Sequence, residues 1–401
     1  MAKTKMKFLL KMSSKNLKFD ASYLTRNCDM ANIKTILSTA IENHASDVHI
    51  NVGIPPILRR NTELIDMDFP VVSDKDVEEM INSMVEPDRF KEFKQNKDLD
   101  FSTSLEDGHR FRVNAHYQRE TMAISFRVIP NEIPLIDDLY LPPIVKELTD
   151  LPRGLVLVTG HTGSGKSTTL AALIGVINTK YRKRIMTLED PIEYAIENQQ
   201  SMVEQREIGC DCPEFASGLK HVLRQDPDII MVGEMRDLET TSFTMTAAET
   251  GHLVFSTLHT INSAQTIERI IDIYPAAQQN QIRTMLANTL QAVISQTLFK
   301  RVDEPGMVPC TEILLCTSAV RNCIRENRIY EIPNIIETSR RLGMQNLDYS
   351  ITEMYSKGYL DRDEAIMRSS NSGKMEKTLV PMNNAVEVVQ APELVKAKRK
   401  R

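Results

Sequence analysis

Between Arg153 and Leu173 the chain reads Arg-Gly-Leu-Val-Leu-Val-Thr-Gly-His-Thr-Gly-Ser-Gly-Lys-Ser-Thr-Thr-Leu-Ala-Ala-Leu. Leu155 to Thr159 are apolar or β-branched, Gly160 to Lys166 are glycine-rich, and Thr168 to Ile177 favour helix, which predicts a buried strand, a loop and a helix. Gly160, Gly165, Lys166 and Ser167 fit Gly-x-x-x-x-Gly-Lys-[Ser/Thr] in the strand-then-helix setting that this motif requires. Such a loop turns backbone N–H groups toward polyphosphate oxygens at the positive end of a helix dipole. Gly160, Gly163 and Gly165 open the backbone, and Thr162, Ser164 and Thr168 belong to the same binding stretch. Lys166 is expected to reach the β/γ-phosphates of a nucleotide, and Ser167 to ligate Mg²⁺.

Further short apolar runs follow the loop, at Arg184 to Leu188, Asp228 to Val232, Leu253 to Leu258 and Thr311 to Cys316, and they alternate with helical segments. That alternation predicts an α/β fold with a mostly parallel sheet and helices on both faces. Ligands of such sheets bind at the carboxyl ends of the strands, where this chain carries its chemically loaded residues. Glu189 and Asp190 close one run and are placed to hold Mg²⁺ through water or to orient an attacking water. Glu234 ends another run at the position of the general base, but Gly233 stands before it where an aspartate usually ligates metal. His252 precedes the strand Leu253 to Leu258 and His259 follows it, about 20 Å apart if extended, so they cannot share one ion. His259, at the carboxyl end, is the candidate to sense a γ-phosphate or to contact Glu234.

Upstream, residues 31–130 read as a small α/β domain. Ile33, Ile36, Leu37, Ala40 and Ile41 keep helical spacing, Ser46 to Val52 alternate, and Asp74 to Met84 form a helix capped at Ser73. Arg110 to Phe126 alternate as strands around the turn Gln118-Arg119-Glu120-Thr121, so Arg112 and Arg127 can meet across a hairpin. Prolines at 130, 134, 142, 143 and 152 then mark residues 131–152 as a linker. Residues 153–368 hold the phosphate loop and a C-terminal helical annex, with a long helix expected from Ala277 to Phe299. Two polar, basic tails are expected, at residues 1–30 and 369–401. The first carries six lysines before Asp20; a solvated tail is expected, with attraction to anionic lipid as the alternative.

A length of 401 residues favours two or three domains. The net charge of −5 and pI near 6.0 argue against a surface that wraps nucleic acid. Six cysteines without Cys-x-x-Cys spacing indicate neither a zinc site nor a disulfide framework, and so a reducing, cytosolic compartment. No run of 18 apolar residues exists, and Met6 to Leu10 is too short for a secretory core, so a soluble or peripheral chain is expected.

Several stretches also resemble a known superfamily. Gly160 to Thr168 and Thr187 to Tyr194 resemble the Walker A and Asp-box motifs of the type II/type IV secretion ATPases. Leu223 to Asp237 and Thr250 to Thr260 resemble their Walker B and His boxes. Within that superfamily the chain is similar, from about Ile33 to Ile366, to the pilus-retraction, twitching-motility (PilT-like) ATPases. Ala319 to Glu326 resembles their C-terminal signature, with Cys323 replacing an aliphatic residue. On a helix it would bury Ala319, Val320, Cys323 and Ile324 and leave Arg321 and Arg325 outward, where they are expected to couple the motor to its membrane partner. The long N-terminal domains and tetracysteine motif of many extension and secretion ATPases are not in this sequence, which favours retraction.

The resemblance implies a homo-hexameric, ATP- and Mg²⁺-dependent motor in which a PAS-like domain is joined flexibly to a RecA-like domain, with ATP between them. It implies that Arg112 and Arg127 approach the γ-phosphate when the domains close. It also implies a cytoplasmic location, peripheral at the inner membrane, with an inner-membrane pilus platform protein and related pilus ATPases as partners. The rival readings are an extension or secretion ATPase of the same superfamily, a PilU-like accessory motor, a scaffold whose nucleotide site is regulatory, and a RecA-like nucleic-acid translocase. Acidic pI, no tryptophan and few aromatics for base stacking disfavour the last, so no nucleic acid is expected as a partner.

Overall fold

The structure, a computed structural model, describes residues 32–60, 63–130 and 132–380. The expected tail at residues 1–30, with Cys28, and residues 381–401 of the second tail lie outside them. The chain divides after Ile129 into two compact units.

In the first unit, helix α1 (Ile33–Glu42) buries Ile33, Ile36, Leu37 and Ala40, one face at three- and four-residue spacing. Strands β1 (Asp47–Asn51), β2 (Ile57–Arg60) and β3 (Glu63–Asp66) follow. Helix α2 (Asp74–Met84) starts at a reciprocal cap between Ser73 and Asp76. Helix α3 (Pro87–Asn96) then leads into β4 (Asp98–Ser104), β5 (Arg110–Gln118) and β6 (Thr121–Ile129). The strands form one antiparallel sheet in the order β3-β2-β1-β6-β5-β4. Arg119 and Glu120 turn the β5–β6 hairpin with positive φ at both positions, as a type I′ turn requires. The resulting register sets Arg112 directly opposite Arg127. Val48, Ile50, Val113, Ala115, Ile124 and Phe126 share a core with the helices. The alternate residues Asp47, His49, Arg112, Asn114 and Arg127 are left on the polar face.

The second unit begins at Pro130, and the proline-rich stretch read as a linker is built into it. A 3₁₀ turn (Ile136–Leu139) and helix α4 (Pro143–Glu147) put Ile136, Val145 and Leu148 into the core that also holds Val156 and Val158. Pro143 starts α4 rather than breaking it, because the first helical N–H has no partner to lose. The same stretch is latched by Arg301, whose guanidinium lies over the rings of Tyr140 and Tyr359, donates to Tyr140 and ion-pairs with Asp303.

From there the chain alternates: β7 (Gly154–Thr159), α5 (Lys166–Lys180), β8 (Arg184–Glu189), β9 (Met202–Glu207), α6 (Phe215–Val222), β10 (Ile229–Val232), α7 (Leu238–Glu249), β11 (Leu253–Leu258), α8 (Ser263–Asp272) and α9 (Gln279–Thr289). Two long strands close the sheet, β12 (Leu290–Lys300) and β13 (Met307–Leu315), in the order β13-β12-β7-β11-β10-β8-β9. All neighbours are parallel except the β12–β13 pair. The helix expected from Ala277 to Phe299 is therefore half helix and half strand. Strand β12 is buried on both faces, so Leu290 to Ile294 is nearly continuously apolar and lacks the alternation that separates a strand from a buried helix.

Helices α10 (Ser318–Arg325), α11 (Ile332–Thr338), α12 (Leu347–Ser356), α13 (Arg362–Met367) and α14 (Ser372–Thr378) form the annex. Residues 369–380 of the expected polar tail belong to the annex instead, because Met375 on α14 and Leu379 after it are buried with Phe299, Val308 and Ile351.

Candidate functional site

Strand β7 is buried at every residue and delivers Gly160 to the carboxyl edge of the sheet. The backbone there is available only to glycine. Gly160 has φ 143° and Gly165 φ 86°. A Cβ on Gly160 would lie 2.3 Å from the carbonyl of Gln296, and one on Gly165 2.7 Å from Gln296 Nε2. Thr162 and Gly163 are exposed, while Ser164 and Lys166 are buried. Lys166 Nζ donates to the carbonyls of Gly160 and His161 at 2.9 and 3.1 Å. Burial pushes the lysine pKa down, and the charges of Glu234 and Glu193 pull against it. Ser167 follows as the second residue of α5, and the hydroxyl of Thr168 meets that of Tyr194 at 3.0 Å.

Two carboxylates sit at neighbouring strand ends in different environments. Glu189 is buried at the end of β8, where its Oε1 accepts from Thr187 Oγ1 at 2.6 Å and from Gln205 Nε2 at 3.0 Å. Burial raises its pKa against those hydrogen bonds. Asp190 beside it is exposed. Glu234, two residues past β10, is half-buried between the side chains of Arg236 and His259. Its Oε2 lies 2.8 Å from Arg236 Nη2 and its Oε1 3.1 Å from His259 Nε2. Burial pushes its carboxyl up, but the Arg236 hydrogen bond and the charges of His259 and Arg236 outweigh that and hold it below the usual carboxylate range.

Gly233 has a steric reason. Its N–H donates to Leu188 O at 2.7 Å, and a Cβ there would stand 3.2 Å from that oxygen and 3.5 Å from Glu189 Cα. A side chain at this position would therefore press on the backbone of β8, beside Glu189 and Asp190.

His259 and Glu234 are brought together as expected from their strand ends. His252 is not part of this group. It precedes β11, at the opposite edge of the sheet, and its Nδ1 lies 2.9 Å from Ala247 O, so that nitrogen carries hydrogen and caps the end of α7. Arg112 and Arg127 belong to the first unit, where Arg127 Nε donates to Asp47 Oδ1 at 2.9 Å and Arg112 is exposed.

The signature helix departs from the expected orientation. Val320, Cys323 and Ile324 are buried, but Ala319 is exposed. Arg321 is turned inward, donating to the carbonyls of Ala287 and Asn288 at the end of α9 and to Gln291 Oε1. The first turn of α10 faces those carbonyls, which are the unsatisfied acceptors of a helix end. Arg325 remains exposed.

Sequence reading missed Gln296 and Arg236. Gln296 was hidden by taking β12 as helix. Arg236 stood in plain view two residues after Glu234, but only the strand-to-strand geometry turns its guanidinium back onto that carboxylate. Among the described residues, no group of three His, Cys, Asp or Glu could hold a metal ion alone.

The sequence profile of the family described as "Type II/IV secretion system protein" matches residues 141–380, more than half of the chain. The type IV pilus retraction ATPase PilT of Pseudomonas aeruginosa is 41% identical over 88% of this chain and 99% of its own length. A twitching motility protein of Neisseria gonorrhoeae is 43% identical over 80% of this chain and 86% of its own length. Among solved structures, that of the pilus retraction motor PilT with bound ADP superposes with a TM-score of 0.81 at 40% identity, covering 86% of this chain and 99% of that one.

Proposed function

The chain belongs to the type II/IV secretion system protein family, and from that premise we propose that it is an ATP-hydrolysing motor that drives pilus retraction. The observation that carries the chemistry is Glu234, held 2.8 Å from Arg236 Nη2 and 3.1 Å from His259 Nε2 at the edge of the sheet that presents the phosphate loop. An ionised carboxylate there accepts the proton of the water that attacks the γ-phosphate, while Lys166 answers the charge on the β/γ-phosphates. His259 holds the carboxylate from one side, and Arg236 fixes it from the other.

The donor set suits Mg²⁺ that arrives with a nucleotide rather than a dedicated metal cage, since such ions keep several waters and use one or two protein oxygens. Ser167 would ligate it directly, and Glu189 and Asp190 would act through water, because Glu189 Oε1 already accepts two hydrogen bonds. When bound, the ion supplies charge neutralisation on the phosphate oxygens.

Arg112 and Arg127 are the proposed γ-phosphate contacts from the first unit. A ring of six copies acting at the cytoplasmic face of an inner-membrane pilus platform, alongside related pilus ATPases, completes the reading. No helix among the described residues is long and apolar enough to cross a membrane.

The test is microscopy of pili in cells lacking the protein, beside steady-state ATPase assays with and without single-stranded DNA. Excess, non-retracting pili are expected, with turnover indifferent to DNA. Bald cells would assign the motor to extension, and strong DNA stimulation to nucleic-acid translocation.

A further inference from the structure

Strand β12 lies beside β7 in parallel, and its register sets Ser295 against Thr159, the last residue before the phosphate loop. Their hydroxyls meet at 2.9 Å in a fully buried pair. The next residue, Gln296, turns its side chain onto the loop itself. Its Nε2 donates to Ser164 O at 2.7 Å, and its Oε1 accepts from Thr169 Oγ1 at 2.9 Å. Gln296 and Thr169 are 4% and 1% exposed, so neither partner has water as an alternative. The carboxamide therefore bridges the end of the loop to the first turn of α5, while the residue's backbone carbonyl and its side-chain Nε2 occupy the space over Gly160 and Gly165.

A loop that must present several N–H groups to a polyphosphate at once loses affinity if its backbone wanders before the ligand arrives, because ordering it is then charged against binding. From these contacts we propose that Gln296 is a positioning residue for nucleotide binding, holding the loop in its phosphate-receiving shape from the neighbouring strand. Gln296 touches no reacting atom, and its effect runs through the carbonyl of Ser164 and the hydroxyl of Thr169. The proposal rests on the reading of Gly160–Ser167 as the nucleotide site.

The test uses the full-length chain with Gln296→Glu, Thr169→Val and the double variant. ATP affinity is measured with a fluorescent analogue, kcat and KM by steady-state turnover, and the melting temperature without nucleotide. Gln296→Glu keeps size and shape but sets an oxygen against Ser164 O. It is expected to weaken ATP binding roughly 10- to 100-fold, the worth of one unmet buried partner, with KM rising in step and kcat changing less than about 3-fold. Thr169→Val should weaken binding about 3- to 10-fold in the same direction, and the double variant should bind no worse than Gln296→Glu alone. ATP affinity within about 2-fold of the parent in both single variants would overturn the proposal, whatever the melting temperatures do. Were Gln296→Glu not to fold, the Thr169→Val affinity decides by itself, weakened for the proposal and unchanged against it. Lys166→Ala, run alongside, separates the two readings: if that variant still binds ATP, it is the site assignment that fails.

Discussion

Burial alone would push the Glu234 carboxyl up, and the Arg236 hydrogen bond with the charges of His259 and Arg236 brings it down, so its pH behaviour depends on those two residues. Its folded pKa is depressed, so the base is lost only when pH falls below the usual carboxylate range. Arg236→Ala removes the guanidinium contact while leaving burial, which pushes the carboxyl the other way. The acid limb of the kcat/KM profile should therefore move to higher pH, and an unmoved limb would show that Arg236 does not tune the base. Glu234→Gln should keep ATP bound and slow hydrolysis by roughly 10²- to 10⁴-fold, the range for a positioned general base. If Glu189→Gln does more damage in the same assay, the buried carboxylate is the base instead. At this scale the sequence was most legible where chemistry is local. Gly160 to Ser167 is a contiguous motif with its own strand and helix, and Glu234 and His259 each follow an apolar run. It was least legible at Gly233, whose close packing on β8, 3.2 Å from the carbonyl of Leu188 to a Cβ built there, depends on strands that the sequence does not show as neighbours.

Arg321 secures an element, the carbonyl end of α9. Its guanidinium closes the carbonyl end of α9 just where the chain passes into β12, so its loss strands acceptors at a helix terminus. Arg321→Ala should lower unfolding stability by roughly 1 to 3 kcal/mol, as charge-assisted contacts to partly buried carbonyls do, measured by chemical denaturation. An unchanged midpoint combined with lost twitching would return Arg321 to the surface role that the sequence suggested. The helix pattern of Ala319 to Glu326 was legible, but its rotation was not. An arginine at an amphipathic boundary reads as solvent-facing unless the helix end that it caps is known. The same limit acted on β12, whose two buried faces erase the period-two signal, whereas the half-open strand β5 showed it, and the hairpin turn set Arg112 opposite Arg127.

The polar face of the first unit carries Arg112 and Arg127, the proposed γ-phosphate contacts. Arg127 is tied to Asp47, but its side chain is 71% exposed, and such a pair holds with no more than about 1 kcal/mol, so a phosphate oxygen can take it over at little cost. Arg112→Ala or Arg127→Ala should leave ATP binding nearly intact and lower turnover by up to about 10³-fold, as for other arginine fingers. A chain starting at Pro130 that hydrolyses ATP at the full-length rate would reduce both arginines to bystanders. The division into two units was legible from periodicity and prolines, though the prolines proved to belong to the second unit, because Tyr140 can be seen to matter only beside Arg301 and Tyr359. The position of β7 between β11 and β12 has a consequence for how the protein is made. The first unit is contiguous and can close as soon as its last strand is synthesised, but Ser164 waits for a partner 132 residues further along. A chain ending at Thr289 lacks β12, and should bind ATP far more weakly than the full chain in a filter or fluorescence assay, even though every residue of the motif is present. During translation, then, the phosphate loop emerges at mid-chain but matures near the end, and a stalled or clipped product carries the signature of a motor without the means to grip its fuel.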